Sequence, residues 1–375
     1  MSGSFSNLTG KSSNETKNHS KGEKIMENLS VYRNEVRKEK AYRIHDKIEK
    51  YQRLLDESTA RFNMELENIE RKCLDSKENP DVLLNAVTKV MDNMNHVCEE
   101  FERGVGYDKD IIKESQINFR KKTDHMICKS YFMKRARTWP QGYQGDYKAL
   151  EGVYKNMPLS SDVGYSLDRY FLSLTLAVAV RGRLEILKEL LKAEITTKKG
   201  LKILDIACGS CREIFELALD IKESDAKVTC IDFDSDSLSF SSERISYTGL
   251  SEENITFRKY NAVRMVNHEK NLKEFGMQDI IYSVGFFDYL NDEVLIRLLN
   301  ALYELLPTSG SLITSFKDCR RYRTFDYHWL LDWDGFLQRT EEDVWNLFEK
   351  AGIPHTKITT VREKSGVINF FTAVK

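Results

Sequence analysis

The chain has 375 residues, of which 41% are apolar and 31% charged, with 5 prolines and a formal net charge of -1. This composition excludes collagen-like, disordered and disulfide-stapled chains and predicts a globular protein of two or three domains. The longest uncharged apolar stretch is residues 171–180, about half of what a bilayer requires, so we expect no membrane-spanning segment. An odd number of cysteines, 7 in all, favours reduced thiols and a cytoplasmic location.

Residues 1–24 are rich in Ser, Asn, Lys and Gly and lack the apolar segment of a secretory signal, so we expect a disordered tail. Residues 25–138 predict a helical domain, because apolar residues recur at helical spacing from Ile44 to Cys73 and again after Asp81. A third helix is expected from residue 108 to about residue 137. This domain is expected to act as a lid, to form a homodimer interface, or both.

One stretch of the helical region is strongly basic. Residues 120–137 contain Lys or Arg at positions 120, 121, 122, 129, 134, 135 and 137 but a single acid, Asp124. This pattern keeps open a docking site for RNA or for an acidic protein. Core-type residues such as Met126 and Phe132 are interleaved with the charges, so a solvated helix face is favoured and nucleic acid is not an expected partner.

Residues 139–200 are expected to link the helical domain to the rest of the chain and to contribute to the active site. Residues 139–154 are dense in aromatic residues and glycine, which predicts an ordered loop, and two apolar helices are expected within 168–191. Tyr143, Asp146 and Tyr147 are candidates for closing this loop over a ligand.

From residue 201 onward, short β-branched runs alternate with helices, which predicts parallel strands joined by right-handed crossovers. The expected strands are 202–208, 227–233, 255–261, 279–285, 311–316, 357–360 and 368–374. The predicted fold is α/β: a Rossmann-like, doubly wound, mostly parallel sheet of seven strands, preceded by the helical region. The last two strands predict a C-terminal β-hairpin that places one antiparallel strand at the sheet edge.

The first strand runs into a turn of small residues, with the sequence LDIACGSCRE at 204–213. Such a turn between a strand and a helix lets backbone N–H groups approach a ligand beyond the strand ends. Asp232 ends the second strand, where a carboxylate can accept hydrogen bonds from a ribose diol. Together these features predict a nucleoside-binding site.

Residues 165–375 resemble the class I S-adenosylmethionine-dependent methyltransferases. Ala207, Gly209 and Cys211 stand at the three glycine positions of that family, and the replaced third glycine disfavours a dinucleotide, whose pyrophosphate needs close approach. The resemblance implies S-adenosylmethionine as cofactor. It implies cofactor contacts from Asp205, Ala207, Gly209, Asp232, Phe233, Asn261, Ala262, Ser283, Val284 and Gly285.

A narrower resemblance is carried by GYQGDY at 142–147, YFLSLTLAVAVRGR at 170–183 and GFFDYL at 285–290. These segments are similar to those of bacterial methyltransferases that esterify 3-hydroxypalmitic acid to make a quorum-sensing signal. The resemblance implies a small-molecule acceptor, with a carboxylate, a hydroxyl or an amine as the methylated group.

The three acceptor groups make different demands on the protein. A carboxylate needs cations to hold it, whereas a hydroxyl or an amine needs a base. Candidate bases are His328 and Asp288. Candidate substrate-binding residues are Tyr143, Asp146, Tyr147, Arg181, Tyr289, Arg321 and Trp329, and further cations for an anionic group are Arg183, Arg320 and Arg339.

Cys208 and Cys211 form a Cys-x-x-Cys motif at a predicted helix start, the arrangement found in thioredoxins. We favour simple packing of both thiols in the turn, because no second such motif completes a zinc site, and no metal is expected. A non-catalytic helical interaction protein with a decayed nucleoside fold is the remaining alternative.

Overall fold

The computed structural model describes residues 15–74 and 78–375. In these two ranges, seven helices precede the first strand: α1 (Glu15–Leu74), α2 (Pro80–Gly104), α3 (Lys109–Ile127), α4 (Tyr131–Thr138), α5 (Tyr147–Lys155), α6 (Asp162–Ser173) and α7 (Thr175–Ile195). Residues 1–14 of the predicted tail lie outside the described residues, and α1 includes residues 15–24. Among the described residues we find no helix that could span a membrane.

The apolar periodicity of α1 and α2 buries one face of each helix. Leu55, Phe62 and Leu66 of α1 are buried, and so are Val87 and Met91 of α2. These faces pack against each other, and α1 also contacts α3 and α6. The N-terminal helices share one apolar core with α6, α7 and one face of the sheet.

The third helix predicted over residues 108–137 is two helices. Helix α3 ends at Ile127 and α4 begins after Ser130, which has an extended backbone. The Ser130 hydroxyl accepts a hydrogen bond from the Met133 N–H at 3.1 Å and lies 2.5 Å from a carboxylate oxygen of Asp168. A serine in this position caps the new helix and so separates it from α3.

The C-terminal part of the chain is a seven-stranded sheet. Its strands are β1 (Lys202–Ile206), β2 (Lys227–Asp232), β3 (Ile255–Lys259), β4 (Ile280–Val284), β5 (Ser311–Lys317), β6 (Ile358–Arg362) and β7 (Ile368–Val374), in the spatial order β3-β2-β1-β4-β5-β7-β6. The first five strands are parallel, and β7 is antiparallel to both of its neighbours. This arrangement confirms the predicted Rossmann-like, mostly parallel fold.

The position predicted for the antiparallel strand is wrong. Strand β7 lies inside the sheet, between β5 and β6, and β6 forms the edge. The two sequences explain this order, because INFFTAV of β7 is buried along nearly all of its length, whereas the central residues of ITTVR in β6 are exposed. A continuous apolar strand suits the sheet interior, and a strand with exposed polar residues suits an edge.

Six helices accompany the strands: α8 (Arg212–Glu216), α9 (Ala218–Ser224), α10 (Ser235–Ser246), α11 (His268–Phe275), α12 (Asp292–Glu304) and α13 (Glu341–Lys350). The chain order reverses direction between β1 and β4, so the carboxyl ends of these strands flank a crevice. Ligands of open α/β sheets bind at such a position.

Candidate active site

The turn after β1 has an unusual backbone. Ala207, Gly209 and Cys211 have φ angles of +57°, +54° and +45°. Glycine adopts this left-handed region freely, whereas an alanine or a cysteine there costs roughly 1–2 kcal/mol. The turn is held by the Cys208 N–H, which donates to the Ile231 carbonyl at 3.1 Å. Residues 207–210 of this turn line a cavity at the crevice.

Asp232 at the end of β2 organises that turn. Its carboxylate accepts hydrogen bonds from the N–H groups of Gly209 at 2.8 Å and Asp234 at 2.9 Å. Burial raises the pKa of Asp232, and these two backbone hydrogen bonds oppose that shift. The next residue, Phe233, leaves 68% of its surface exposed, so its ring is free to cover a planar ligand.

The aromatic loop before α5 reaches the same place. The Tyr143 hydroxyl donates a 2.8 Å hydrogen bond to the Asp234 carboxylate. Burial and this hydrogen bond raise the pKa of Tyr143, as does the nearby charge of Asp232. The loop therefore lies over the end of β2, and Tyr143 is placed beside the predicted ribose-binding acid.

A first cavity, which we name the cofactor cavity, lies below the turn. It is lined by Leu150, Tyr154, Arg183, Leu184, Leu187, Asp205, Ala207, Cys208, Gly209, Ser210, Glu213, Tyr282 and Val284. Its lining includes two buried acids, Asp205 and Glu213, and one buried cation, Arg183. The Tyr282 hydroxyl donates a hydrogen bond to Glu213 at 2.9 Å. Burial and the charge of Cys211 raise the pKa of Glu213 to about 7. Burial and the charge of Glu213 raise that of Asp205.

Three other predicted cofactor residues, Ser283, Asn261 and Ala262, do not line this cavity. Ser283 ties β4 to β1 through a 3.0 Å hydrogen bond from its hydroxyl to the Ile206 carbonyl. Asn261 is exposed, and its side chain accepts the Val263 N–H at 3.1 Å, which caps the short helix at 262–266. Ala262 is buried beneath that turn.

A second cavity, which we name the apolar cavity, adjoins the first and shares Leu150 and Arg183 with it. It is lined by Gly145, Leu150, Val153, Phe171, Leu176, Ala177, Arg183, Gly285, Tyr289, Lys317, Tyr327, Trp333 and Phe336. Most of its wall is aliphatic or aromatic. Its charged groups are two cations, Arg183 and Lys317.

These two cations have different partners. Lys317 Nζ lies 2.5 Å from a carboxylate oxygen of buried Asp288, and burial lowers the pKa of this lysine. Arg183 donates only to the Tyr154 hydroxyl, at 3.4 Å, and has no acidic partner among the described residues. Gly285, with a φ of +94°, lies so close that a Cβ there would be 2.6 Å from Arg183 Nη1. Only glycine admits the guanidinium at this point.

Tyr289 lines the apolar cavity and contributes a hydroxyl group to it. Its oxygen accepts a 2.8 Å hydrogen bond from the Trp333 indole N–H. Burial raises the pKa of Tyr289 to about 12, so it is a neutral phenol at physiological pH. Among the predicted residues, Arg183, Gly285 and Tyr289 therefore line this cavity, and Asp288 contacts it through Lys317.

His328 and Trp329 lie elsewhere. Both belong to one π-helical turn at 326–330, and neither lines the cofactor cavity or the apolar cavity. Burial lowers the pKa of His328, whose backbone carbonyl accepts a 2.7 Å hydrogen bond from Arg120. Trp329 is buried against α2, and its indole N–H donates to Glu102 at 2.7 Å. The structure thus gives these two residues packing contacts with the N-terminal helices.

Four more predicted substrate residues make structural contacts. Asp146 caps α5 and forms a 2.8 Å ion pair with Arg135. Tyr147 packs its ring on Phe240, with ring centroids 5.2 Å apart. The remaining two are arginines outside both cavities: Arg181 donates to the Leu172 carbonyl at 3.0 Å, and Arg321 pairs with Asp318 at 3.2 Å.

Two further residues of the cavities, Glu213 and Lys317, are not among those predicted from the sequence. Glu213 ends the quoted segment LDIACGSCRE, one residue into the helix after the turn, and Lys317 is the last residue of β5. The carboxyl ends of parallel strands and the first turns of the following helices converge on the ligand crevice. That rule could have identified both positions.

Part of the chain is similar to a known protein family. Residues 197–327 match the family model described as "Methyltransferase domain". No curated protein matches the chain. Among solved structures, a "possible exported protein" from Bordetella parapertussis has a TM-score of 0.51 and 16% identity, and the match covers 86% of this chain and 96% of that one. This likeness agrees with the fold described above, including its N-terminal helices.

Two further solved structures are methyltransferases. Magnesium protoporphyrin IX methyltransferase (ChlM) from Synechocystis PCC 6803, with bound SAH, has a TM-score of 0.42 and 15% identity, and covers 54% of this chain and 85% of its own. N-methyltransferase NodS from Bradyrhizobium japonicum WM9 has a TM-score of 0.36 and 15% identity, and covers 52% and 88%. The family match over residues 197–327 is to a methyltransferase domain, and it supports the predicted enzyme class and cofactor, methyl transfer from S-adenosylmethionine.

Proposed function

We propose that the chain methylates the carboxylate of a small, apolar-tailed metabolite. The observation that carries this proposal is the apolar cavity with its two cations, Arg183 and Lys317. It adjoins the cofactor cavity at Arg183 and at the Val284–Gly285 step after β4. An acceptor with an anionic head and an apolar tail would complement both its charge and its wall.

The cofactor cavity fits S-adenosylmethionine better than it fits a dinucleotide. Two buried carboxyl groups, Asp205 and Glu213, complement the positive charges of an ammonium and a sulfonium and would repel a pyrophosphate. Asp232 beside the turn is suited to the ribose hydroxyls. The side chain of Cys211 is tolerated in the turn, because S-adenosylmethionine has no phosphate that must approach it closely. These residues are the ones that we propose hold the cofactor.

The chemistry favours a carboxylate acceptor. When bound, S-adenosylmethionine supplies an electrophilic methyl group. A carboxylate is ionised at neutral pH and needs no base. A hydroxyl or an amine would need one, but His328 lines neither cavity, and Asp288 is buried in its ion pair with Lys317. In this proposal Arg183 and Lys317 orient the acceptor, and the apolar wall excludes water.

The narrower resemblance supplies the first acceptor to test. We propose 3-hydroxypalmitic acid, or another fatty acid with an apolar tail, because side chains such as Phe171, Leu176 and Phe336 form the cavity wall. The assay incubates purified protein with methyl-labelled S-adenosylmethionine and a panel of acids, alcohols and amines of equal chain length, and it measures the labelled product. The proposal expects labelled product from the acids; turnover of the alcohols or the amines alone would contradict it.

Replacing Arg183 by methionine tests the anion site. Since Arg183 has no acidic partner, the variant leaves no orphaned charge in the protein. We expect KM for acid acceptors to rise about tenfold or more, the usual value of a hydrogen bond to a charged group. The matched control is Arg321→Met, because Arg321 lies outside both cavities. Equal KM values in the two variants would contradict the role of Arg183.

The alternative function is methylation of RNA or protein that docks on residues 120–137. The ion pairs of the basic residues in this stretch disfavour it. Five of the seven basic residues have an acidic partner within 3.0 Å: Arg120 with Asp332, Lys122 with Asp56, Lys129 with Glu70, Arg135 with Asp146 and Arg137 with Asp124. A stretch neutralised in this way offers little charge to a polyanion. Methyl label in RNA or protein would revive this alternative, and tight cofactor binding without any transfer would favour the non-catalytic one.

The same proposal includes a cytoplasmic location and a homodimer. All seven cysteines are free, as expected of a reducing compartment. Helix α1 has 60 residues, roughly 90 Å of length, and in this proposal it pairs with a second copy of the chain. Light scattering of the full chain at two concentrations tests the dimer, and a monomeric mass at both would contradict it.

A further inference from the structure

A cluster of thiols and one carboxyl group lies inside the protein, under the turn after β1. The donor atoms of Asp205, Cys211 and Cys230 all lie within 4.8 Å of one another, and all three residues are buried. Cys211 Sγ is 4.0 Å from an Asp205 carboxylate oxygen. The Cys208 thiol is within hydrogen-bonding reach of both other thiols. Three elements, β1, the turn and β2, thus each contribute a donor to one point.

We propose that this cluster is a binding site for a soft divalent cation, with zinc as the representative ion. Thiolates with a carboxylate form the kind of donor set that zinc takes in four-coordinate sites. In such a site, donor atoms are about 3.6–3.8 Å apart, as bond lengths near 2.1–2.3 Å and tetrahedral angles require. The 4.0 Å separation of Cys211 and Asp205 needs only a small inward movement. Cys208 lies outside the group within 4.8 Å but contacts both other thiols, and it would supply the fourth donor after a side-chain rotation.

The surroundings can accept the charge and the ion. Each ligating thiol releases its proton to the buffer, so three thiolates, one carboxylate and a divalent ion carry a net charge of -2. The Arg244 guanidinium, which donates to the Ser210 carbonyl of the same turn, offsets part of this charge. Asp205 and Cys208 also line the cofactor cavity, which provides a path for the ion to enter.

Cys230 supplies a third thiol in addition to the two of the Cys-x-x-Cys motif. Cys230 comes from the middle of β2 and pairs in register with Asp205 of β1. Because neighbouring strands bring positions 205 and 230 together, the cluster is complete without a second Cys-x-x-Cys motif. An ion at this point would tie β1, the turn and β2 together at the floor of the cofactor cavity.

Metal titration of the reduced, cofactor-free full chain tests the proposal. Cadmium is the probe, because thiolate coordination gives it a ligand-to-metal charge-transfer band in the ultraviolet, and native mass spectrometry gives the stoichiometry. The proposal predicts one ion per chain with that band. It also predicts that zinc raises Tm in a concentration-dependent manner, because an ion bound only by the folded state stabilises it.

Cys230→Ala should weaken cadmium binding at least tenfold and abolish the zinc-dependent rise in Tm. Cys319→Ala is the matched control, since it removes a free cysteine outside the cluster, and it should bind like the wild type. If Cys230→Ala does not fold, Cys211→Gly replaces it, because glycine suits a φ of +45°. Wild-type protein without the band, or a cluster variant that binds cadmium as tightly as Cys319→Ala, would overturn the proposal.

Discussion

At the scale of single residues, the cofactor cavity depends on carboxyl groups in unusual surroundings. The Asp232 carboxylate accepts hydrogen bonds from two backbone N–H groups, which fix its orientation at the end of β2. Glu213 and Asp205 are buried side by side, and Tyr282 donates a hydrogen bond to the first of them. Two acids held in an apolar interior favour a cationic ligand, since it offsets the cost of ionising them.

Asp232→Ala should weaken binding of S-adenosylhomocysteine about a hundredfold or more, because the ribose would lose two hydrogen bonds to a charged acceptor. Isothermal titration calorimetry measures the affinity. Asp236→Ala is the control, since Asp236 is exposed and lies four residues along the chain. Unchanged affinity in Asp232→Ala would mean that the nucleoside does not sit at the end of β2.

Glu213→Gln should remove a pH dependence from cofactor binding. With a pKa of about 7, Glu213 is protonated below that pH and must lose its proton before it can pair with the cationic cofactor. Wild-type affinity for S-adenosylmethionine should therefore rise with pH, by up to about tenfold per unit below pH 7, and level off above it. Cys211, Tyr282 and Asp205 face Glu213 and influence its pKa.

The measurement is a series of calorimetric titrations from acid to mildly alkaline pH. Glu216→Gln provides the control, because Glu216 lies on the same helix but forms ion pairs with Lys188 and Arg212 outside the cavity. A steep profile that persists in Glu213→Gln would show that another group takes up the proton.

At the scale of elements, the π-helical turn at 326–330 joins the N-terminal helices to the sheet. Trp329 places its ring edge-on against Phe101 of α2 and Phe119 of α3. Arg120 and Arg137 donate to backbone carbonyls of the same turn, at His328 and Leu330. The following segment contributes Trp333 and Phe336 to the apolar cavity, so this joint also positions part of the cavity wall.

Trp329→Ala should lower the free energy of unfolding by about 3–5 kcal/mol, since a buried indole is lost and the Glu102 acceptor loses its partner. His328→Ala should change stability far less and leave kcat near the wild-type value, because His328 lines neither cavity. Urea unfolding and steady-state kinetics separate the two effects. A large loss of kcat in His328→Ala at unchanged cofactor affinity would restore it as a catalytic residue.

Element boundaries were predictable where local chemistry determines them. The five parallel strands follow from β-branched runs between helices, and each observed strand falls within about two residues of its predicted bounds. The order of β6 and β7 was not predictable from the hairpin alone, because it depends on which strand finds a partner on both sides. The break before α4 depends on Ser130 meeting Asp168, a contact 38 residues away in sequence.

The positions of the candidate site residues were likewise predictable only where local sequence determines them. Asp205, Gly209 and Asp232 were predictable because a turn and a strand end determine their places. The surroundings of His328 were not predictable, since they depend on how distant helices pack. An arginine in a sequence does not reveal its partner: Arg183 lines the apolar cavity, whereas Arg181, two residues away on the same helix, hydrogen-bonds the backbone.

At the scale of the whole molecule, the net charge is near zero, but the cations differ in whether they pair with acids of the protein or face a cavity. Four of the basic residues in 120–137 pair with acids of α1, the aromatic loop and the segment after the π-helical turn. Arg183, which lines the apolar cavity, has no acidic partner among the described residues. This distribution favours a small anionic acceptor enclosed by the N-terminal region over a polyanion bound at the surface.

The identity of the methylated group tests this account most directly. Purified chain is incubated with methyl-labelled S-adenosylmethionine and a soluble metabolite extract, and the labelled product is then treated with mild alkali. A methyl ester releases its label as volatile methanol under these conditions, whereas methyl ethers and methylamines retain it. The account predicts release of the label as methanol; label that stays in the small-molecule fraction, or appears only in nucleic acid or protein when those are supplied, would contradict it.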